Sequence, residues 1–149
     1  MLFLIVGDGP DRKMYEEFTK KCKVENRVTF VGSKENPYPY MNEADYVILT
    51  SDYEGFPVTY LEAITLNKNI ITTIETSDES IDMKDIAYII PKKENEMVEK
   101  VKDILKKKNT KKSINIDKIQ GLGEETYGCQ GGGVESGMNR EFVVSRCKL

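Results

Sequence analysis

Apolar residues fall along the chain in short unbroken runs that alternate with stretches of helical spacing. Leu2 to Val6 is a continuous apolar run ending at Gly7, the pattern of a parallel strand buried on both faces. After Gly7-Asp8-Gly9-Pro10, the residues Met14, Tyr15, Phe18 and Cys22 recur at helical spacing, with Pro10 near the first turn and Asn26 suited to ending the helix. Arg27 to Val31 predicts a second strand. A Pro-containing linker around Asn36 to Tyr40 and a short helical turn lead to a third, buried strand at Tyr46 to Leu49. From Pro57, an apolar face of Val58, Leu61, Ala63, Ile64 and Leu66 predicts a second long helix, and Asn67 suits a left-handed end. Strands at Ile70 to Ile74 and Ala87 to Ile90 follow. Glu94 to Lys108 then predicts an amphipathic helix with Met97, Val98, Val101, Ile104 and Leu105 turned inward.

The order β-α-β-β-α-β-β-α, with crossovers too long for hairpins, predicts an α/β fold: a Rossmann-like parallel sheet with helices on both faces. At 149 residues the chain suits one domain with a real core. That domain is expected over residues 1–120. From Gly121 onward the chain holds seven glycines against four before it, and hydrophobic periodicity fades. Residues 121–149 are therefore expected to be a disordered tail or one foreign to the domain, because such composition buries little apolar surface.

Composition narrows the chemistry. With 22 basic and 25 acidic side chains, the net charge of -3 points to no nucleic-acid partner. The run Lys106, Lys107, Lys108, Lys111, Lys112 reads as a solvated helix terminus favoured by the helix dipole. No stretch approaches the roughly 20 apolar residues of a bilayer span, so the expectation is a cytoplasmic chain. Cys22, Cys129 and Cys147 have unrelated spacings and the chain has no His, so free thiols, no metal and no cofactor are expected. Without His, acid–base work falls to carboxylates, Lys, Tyr or the substrate.

The most informative segment is Ser51-Asp52-Tyr53-Glu54-Gly55-Phe56-Pro57-Val58-Thr59-Tyr60-Leu61-Glu62-Ala63, which follows a buried strand and runs into a helix. Ligands of open parallel sheets bind at that edge. Gly55 allows close backbone approach. The N–H groups around Phe56 to Thr59 sit at a helix N-terminus, which favours an anionic or hydroxyl-rich ligand. Pro57 has no N–H to offer, leaving Val58 and Thr59 as donors. Glu54 and Glu62 stand eight residues apart, about two helical turns, a spacing that suits one elongated ligand such as a sugar joined to a ribose. On the residues alone, Glu54 as a partner of the helix dipole and Glu62 as a surface carboxylate remain an equal reading.

This segment resembles the E-x7-E signature of the family-four retaining glycosyltransferases, matched at Ser51, Glu54, Gly55, Phe56, Pro57, Leu61, Glu62 and Ala63. The resemblance extends through Val6-Gly7-Asp8-Gly9-Pro10, Val28-Thr29-Phe30-Val31-Gly32, Ala44-Asp45 and Ile89-Ile90-Pro91, over roughly residues 1 to 108. It implies the C-terminal, donor-binding half of a GT-B fold of two facing Rossmann-like domains. By the same resemblance, Glu54 is the catalytic carboxylate that holds donor-sugar hydroxyls, and Glu62 hydrogen-bonds the ribose. Gly55, Phe56 and Pro57 would flank the sugar and pyrophosphate. Gly7, Gly9, Val31, Gly32 and Lys34 are further candidates, the last three near the base. Gly7-Asp8-Gly9 also fits a plain tight turn, because Arg12 stands where a dinucleotide fingerprint needs its third glycine.

The chain departs from the family where Glu75-Thr76-Ser77-Asp78 replaces a Gly-rich loop. The Arg and Lys that neutralise the pyrophosphate in the family lie upstream of Met1. The implied activity is transfer of a hexose from a nucleotide diphosphate sugar, with uridine as the expected base, to a polysaccharide or lipid-linked glycan with retention. The implied partners are the nucleotide sugar, an acceptor domain and its glycan, with peripheral membrane contact through that missing domain. The isolated chain is expected to be inactive. Two other readings stand beside this one: a binding module that works with a separately encoded acceptor-domain partner, and a structural domain without a ligand.

Overall fold

The structure is a computed structural model that describes residues 1–50, 58–73, 83–107 and 142–146. Its elements are β1 (Leu2–Val6), α1 (Arg12–Lys21), β2 (Val28–Gly32), α2 (Tyr38–Glu43), β3 (Tyr46–Leu49), α3 (Val58–Thr65), β4 (Asn69–Thr72), α4 (Met83–Ile86), β5 (Ala87–Ile89), α5 (Glu94–Lys106) and β6 (Phe142–Arg146). One six-stranded sheet runs in the order β2-β1-β6-β3-β4-β5. The pairs β1–β2, β3–β4 and β4–β5 are parallel, as the alternating pattern predicts.

Period-2 alternation along the strands builds two cores, one on each face. Val47 and Leu49 of β3, Ile70 of β4 and Ala87 of β5 face one side, where they meet Met41 and Ala44 near α2, Tyr60, Ala63 and Ile64 of α3, and Ile86 of α4. Tyr46, Ile48 and Ile71 face the other side, where Ile90 and Ile104 of α5 close a second core, with Met97, Val101 and Leu105 packed against it. Helices therefore cover both faces, and β3 and β4 are buried throughout. On the α5 side the Tyr46 and Tyr88 rings meet edge to face at 6.5 Å.

The structure corrects several expectations. Helix α1 stops at Lys21, short of Asn26: Lys23 takes the left-handed conformation at φ 56°, the Lys23 N–H donates to the Lys20 carbonyl, and the Val24 N–H donates to Thr19. This is the paired closure of a Schellman end, with Lys in the position that glycine usually fills. Helix α3 closes the same way. There Asn67 is left-handed at φ 53°, as expected, and the Lys68 N–H donates to Ala63. Val98 of α5, expected to turn inward, is exposed, and on α1 Met14, Tyr15 and Phe18 are all more than half exposed.

The largest correction concerns the tail. Phe142–Arg146 is a strand, and it lies in the middle of the sheet, antiparallel to β1 on one side and to β3 on the other. Leu2 stands opposite Arg146, Val6 opposite Phe142, and Tyr46 opposite Ser145. For these five residues the expectation of a disordered tail does not hold. The segment 121–141 lies outside the described residues, as do Glu75-Thr76-Ser77-Asp78, Lys108 and the cysteines at 129 and 147. Cys22 is an exposed free thiol. No helix among the described residues is long and apolar enough to cross a membrane.

Candidate functional site at the carboxyl edge of the sheet

Parallel strands bring their carboxyl ends to one edge, and the crossovers that leave that edge hold the described candidate residues. At the end of β1, Gly7 has φ 134° and its N–H donates to the Gly32 carbonyl at the end of β2, 3.0 Å away. Gly32 has φ 78°, a conformation that glycine adopts without steric cost. The turn between them is fastened by Arg12. Its guanidinium donates through Nε to Glu16 at 2.8 Å, through Nη1 to Asp8 at 3.3 Å, and through Nη2 to the Phe30 carbonyl at 3.4 Å. The hydrogen bond that Arg12 donates to Glu16 raises the Arg12 pKa above its ordinary value, with the charge of Asp8 adding to the effect against some opposing desolvation.

Arg12 thus occupies the position of a missing third glycine and does structural work there, tying the β1–α1 turn to β2. In the sequence Arg12 marks only a break in the glycine pattern. The Gly9 N–H donates to Asp8 Oδ1 at 3.0 Å, so this turn is stabilised locally as well. These contacts favour the tight-turn reading of Gly7 and Gly9. Val31 is half-buried in β2, Gly32 is buried, and Lys34 is exposed beyond it.

Glu62 lies in the second turn of α3, between Tyr60 and Ala63, both fully buried. Only 7% of the Glu62 surface is accessible, so the reading of Glu62 as a surface carboxylate is corrected. A buried carboxylate costs several kcal/mol, on the order of 1–3 for each ungratified hydrogen-bonding group, unless it finds donors. One donor is Tyr38, whose phenol O–H donates a hydrogen bond to Glu62 Oε1 across 3.3 Å. Tyr38 opens α2, on the crossover that leaves β2, and is 46% exposed. No local pattern marks this pair, which joins residues from two crossovers.

Thr59 is buried in the first turn of α3 and Val58 is half-buried at its start. Glu54, Gly55, Phe56 and Pro57 lie outside the described residues, so the distance between the two carboxylates of the E-x7-E segment does too. Among the described residues no group of three or more His, Cys, Asp or Glu could hold a metal ion.

A sheet of this topology, with its crossovers converging on the strand carboxyl ends around a buried carboxylate, defines a Rossmann-like α/β domain, a class in which ligands bind at that edge. The chain belongs to the family of glycosyl transferases group 1, whose model matches residues 1–119. It is 31% identical over 70 residues to an uncharacterized glycosyltransferase of Methanocaldococcus jannaschii, covering 47% of this chain and 17% of that protein. It is 33% identical over 70 residues to the N-acetyl-alpha-D-glucosaminyl L-malate synthase of Bacillus anthracis, covering 47% of this chain and 18% of the relative. A lipopolysaccharide 1,6-galactosyltransferase of Salmonella typhimurium is 32% identical over 65 residues, covering 41% of this chain and 18% of that enzyme. The chain thus spans less than a fifth of the length of these relatives. Among solved structures, Anabaena HepE in complex with UDP superposes with a TM-score of 0.61 at 19% identity, over 82% of this chain and 35% of that one. That likeness concerns the fold.

Proposed function

We propose that this chain is the nucleotide-sugar-binding domain of a retaining glycosyltransferase, and that the longer protein moves a hexose from a uridine diphosphate sugar to a polysaccharide or lipid-linked glycan. The observation behind this reading is Glu62: a carboxylate buried on the helix that leads from the strand edge, with a phenol donor already on it. A carboxylate in that setting accepts hydrogen bonds from vicinal hydroxyls, and a ribose presents such a pair. Glu54, eight residues earlier, would hold hydroxyls of the donor sugar. HepE, the structural neighbour, binds UDP, and several relatives build lipopolysaccharide.

In this mechanism the protein supplies no nucleophile and no metal. A donor phosphate oxygen takes the acceptor proton as the new bond forms on the face the leaving group vacates, and the site stabilises the oxocarbenium-like transition state. Departure of the nucleoside diphosphate needs positive charge or donors where negative charge develops. Arg12 is already engaged by Asp8 and Glu16, so its charge is committed to the β1–α1 turn; on the proposed reading the rest of the longer protein supplies those cations and the acceptor domain. The isolated chain is therefore expected to turn over no sugar.

Calorimetric titration of the full chain with uridine and guanosine diphosphates tests the reading. Uridine diphosphate should bind, and Glu62→Ala should weaken it about tenfold or more, the effect of losing a charged hydrogen-bond partner. A folded protein that binds neither nucleotide, or binds equally well without Glu62, would refute it.

A second reading draws on one observation, the exposed apolar row Met14, Tyr15 and Phe18 on α1. Three large apolar side chains on one helix are suited to contact with another domain or with a separately encoded acceptor-domain partner. A stoichiometric partner on native purification supports separate encoding, and a monodisperse monomer counts against it.

A further inference from the structure

We infer that Tyr38 is a positioning residue for the nucleotide's ribose, acting through Glu62; this rests on the donor-site reading given above. Tyr38 is held from several sides. The Tyr38 N–H donates to the Asn36 side chain at 3.1 Å. Pro37 before it caps α2, and the Tyr40 and Met41 N–H groups both donate back to the Pro37 carbonyl. Pro39 follows directly, so ring closure fixes φ on both sides of Tyr38. Met41, fully buried one turn later, anchors the helix in the core. A residue with constrained neighbours and an anchored helix presents its side chain in a narrow range of positions.

That side chain is amphipathic in use. Its exposed part faces solvent, whereas its phenol reaches Glu62, which α3 holds between two fully buried residues. A carboxylate has about four acceptor positions, and the phenol proton takes one of them on Oε1. This contact fixes the plane of the carboxylate before any ligand arrives, so that less rotamer freedom is lost when hydroxyls bind. Tyr38 and Glu62 are 24 positions apart in sequence and leave different strands, so a contact between them links the β2 crossover to the β3 crossover across the ligand edge.

The readout is ribose discrimination, which a merely structural role would not move. Affinities of the full chain for uridine diphosphate and its 2′-deoxy analogue are compared in wild type, Tyr38→Phe and Glu62→Ala. Wild type should prefer the ribonucleotide, and Tyr38→Phe should cut that preference about three- to tenfold while affinity for the deoxy analogue stays nearly constant. If Tyr38→Phe weakens both nucleotides equally, or neither, while Glu62→Ala still abolishes the preference, the positioning role is overturned and the donor-site reading survives. If Glu62→Ala changes nothing, both fall together.

Discussion

Gly32 shows how a single backbone position can decide the shape of the ligand edge. Its φ of 78° is unfavourable for any residue with a Cβ, and a Cβ there would stand 3.2 Å from Arg12 Nη1. Gly32→Ala should therefore cost about 1–2 kcal/mol, measured by denaturant unfolding, with part of the loss arising from displaced Arg12 contacts. Removing the guanidinium by Arg12→Ala in the same background should then recover little of the backbone term, which separates strain from crowding. At this level the sequence was informative in one direction. Glu62 stood out because helical spacing from Glu54 gave it a partner along the chain, whereas Tyr38 acts on a residue that only folding brings near, as Arg12 does in its bond to the Phe30 carbonyl though not in those to Asp8 and Glu16, and no local pattern marks such long-range contacts.

Helix ends and strand faces obey local rules, and most were legible for that reason. Alternation in β3, β4 and β5 follows from pleating, and Asn67 ends α3 because its short polar side chain tolerates the left-handed conformation. The end of α1 was misread because the same conformation falls on Lys23, whose side chain has no such aptitude. Lys23→Gly should accordingly stabilise the protein by about 0.5–1 kcal/mol, read as a higher denaturation midpoint at unchanged slope. The apolar spacing of α1 correctly predicted a helix yet not its environment. Periodicity reports that one side of a helix is apolar, and Met14, Tyr15 and Phe18 leave that side half-open to solvent. The strand β6 is hard to discern because Phe142-Val143-Val144 is a short aromatic and β-branched run at the end of a glycine-rich stretch whose average composition hides it.

The sheet as a unit depends on β6 more than on any other short segment. In strand pairing it is the sole described link between β2-β1 on one side and β3-β4-β5 on the other, since β1 and β3 do not pair directly. A chain ending before Phe142 would present two unpaired strand edges, one along β1 and one along β3. Its melting temperature should fall by more than about 5 °C, given that each kcal/mol moves it roughly 2–8 °C, and light scattering should report association through the open edges. An unchanged melting curve would show that the two halves cohere without this strand.

The register of β6 also bears on how the molecule is made. Leu2 pairs with Arg146, so during synthesis β1 waits for a partner that lies far along the chain. Contacts of such long sequence separation form late and slowly, because a large loop must close before they give any return. Until then the nascent chain holds β1 and β3 apart, and a chaperone that shields extended edges would find its substrate in that interval.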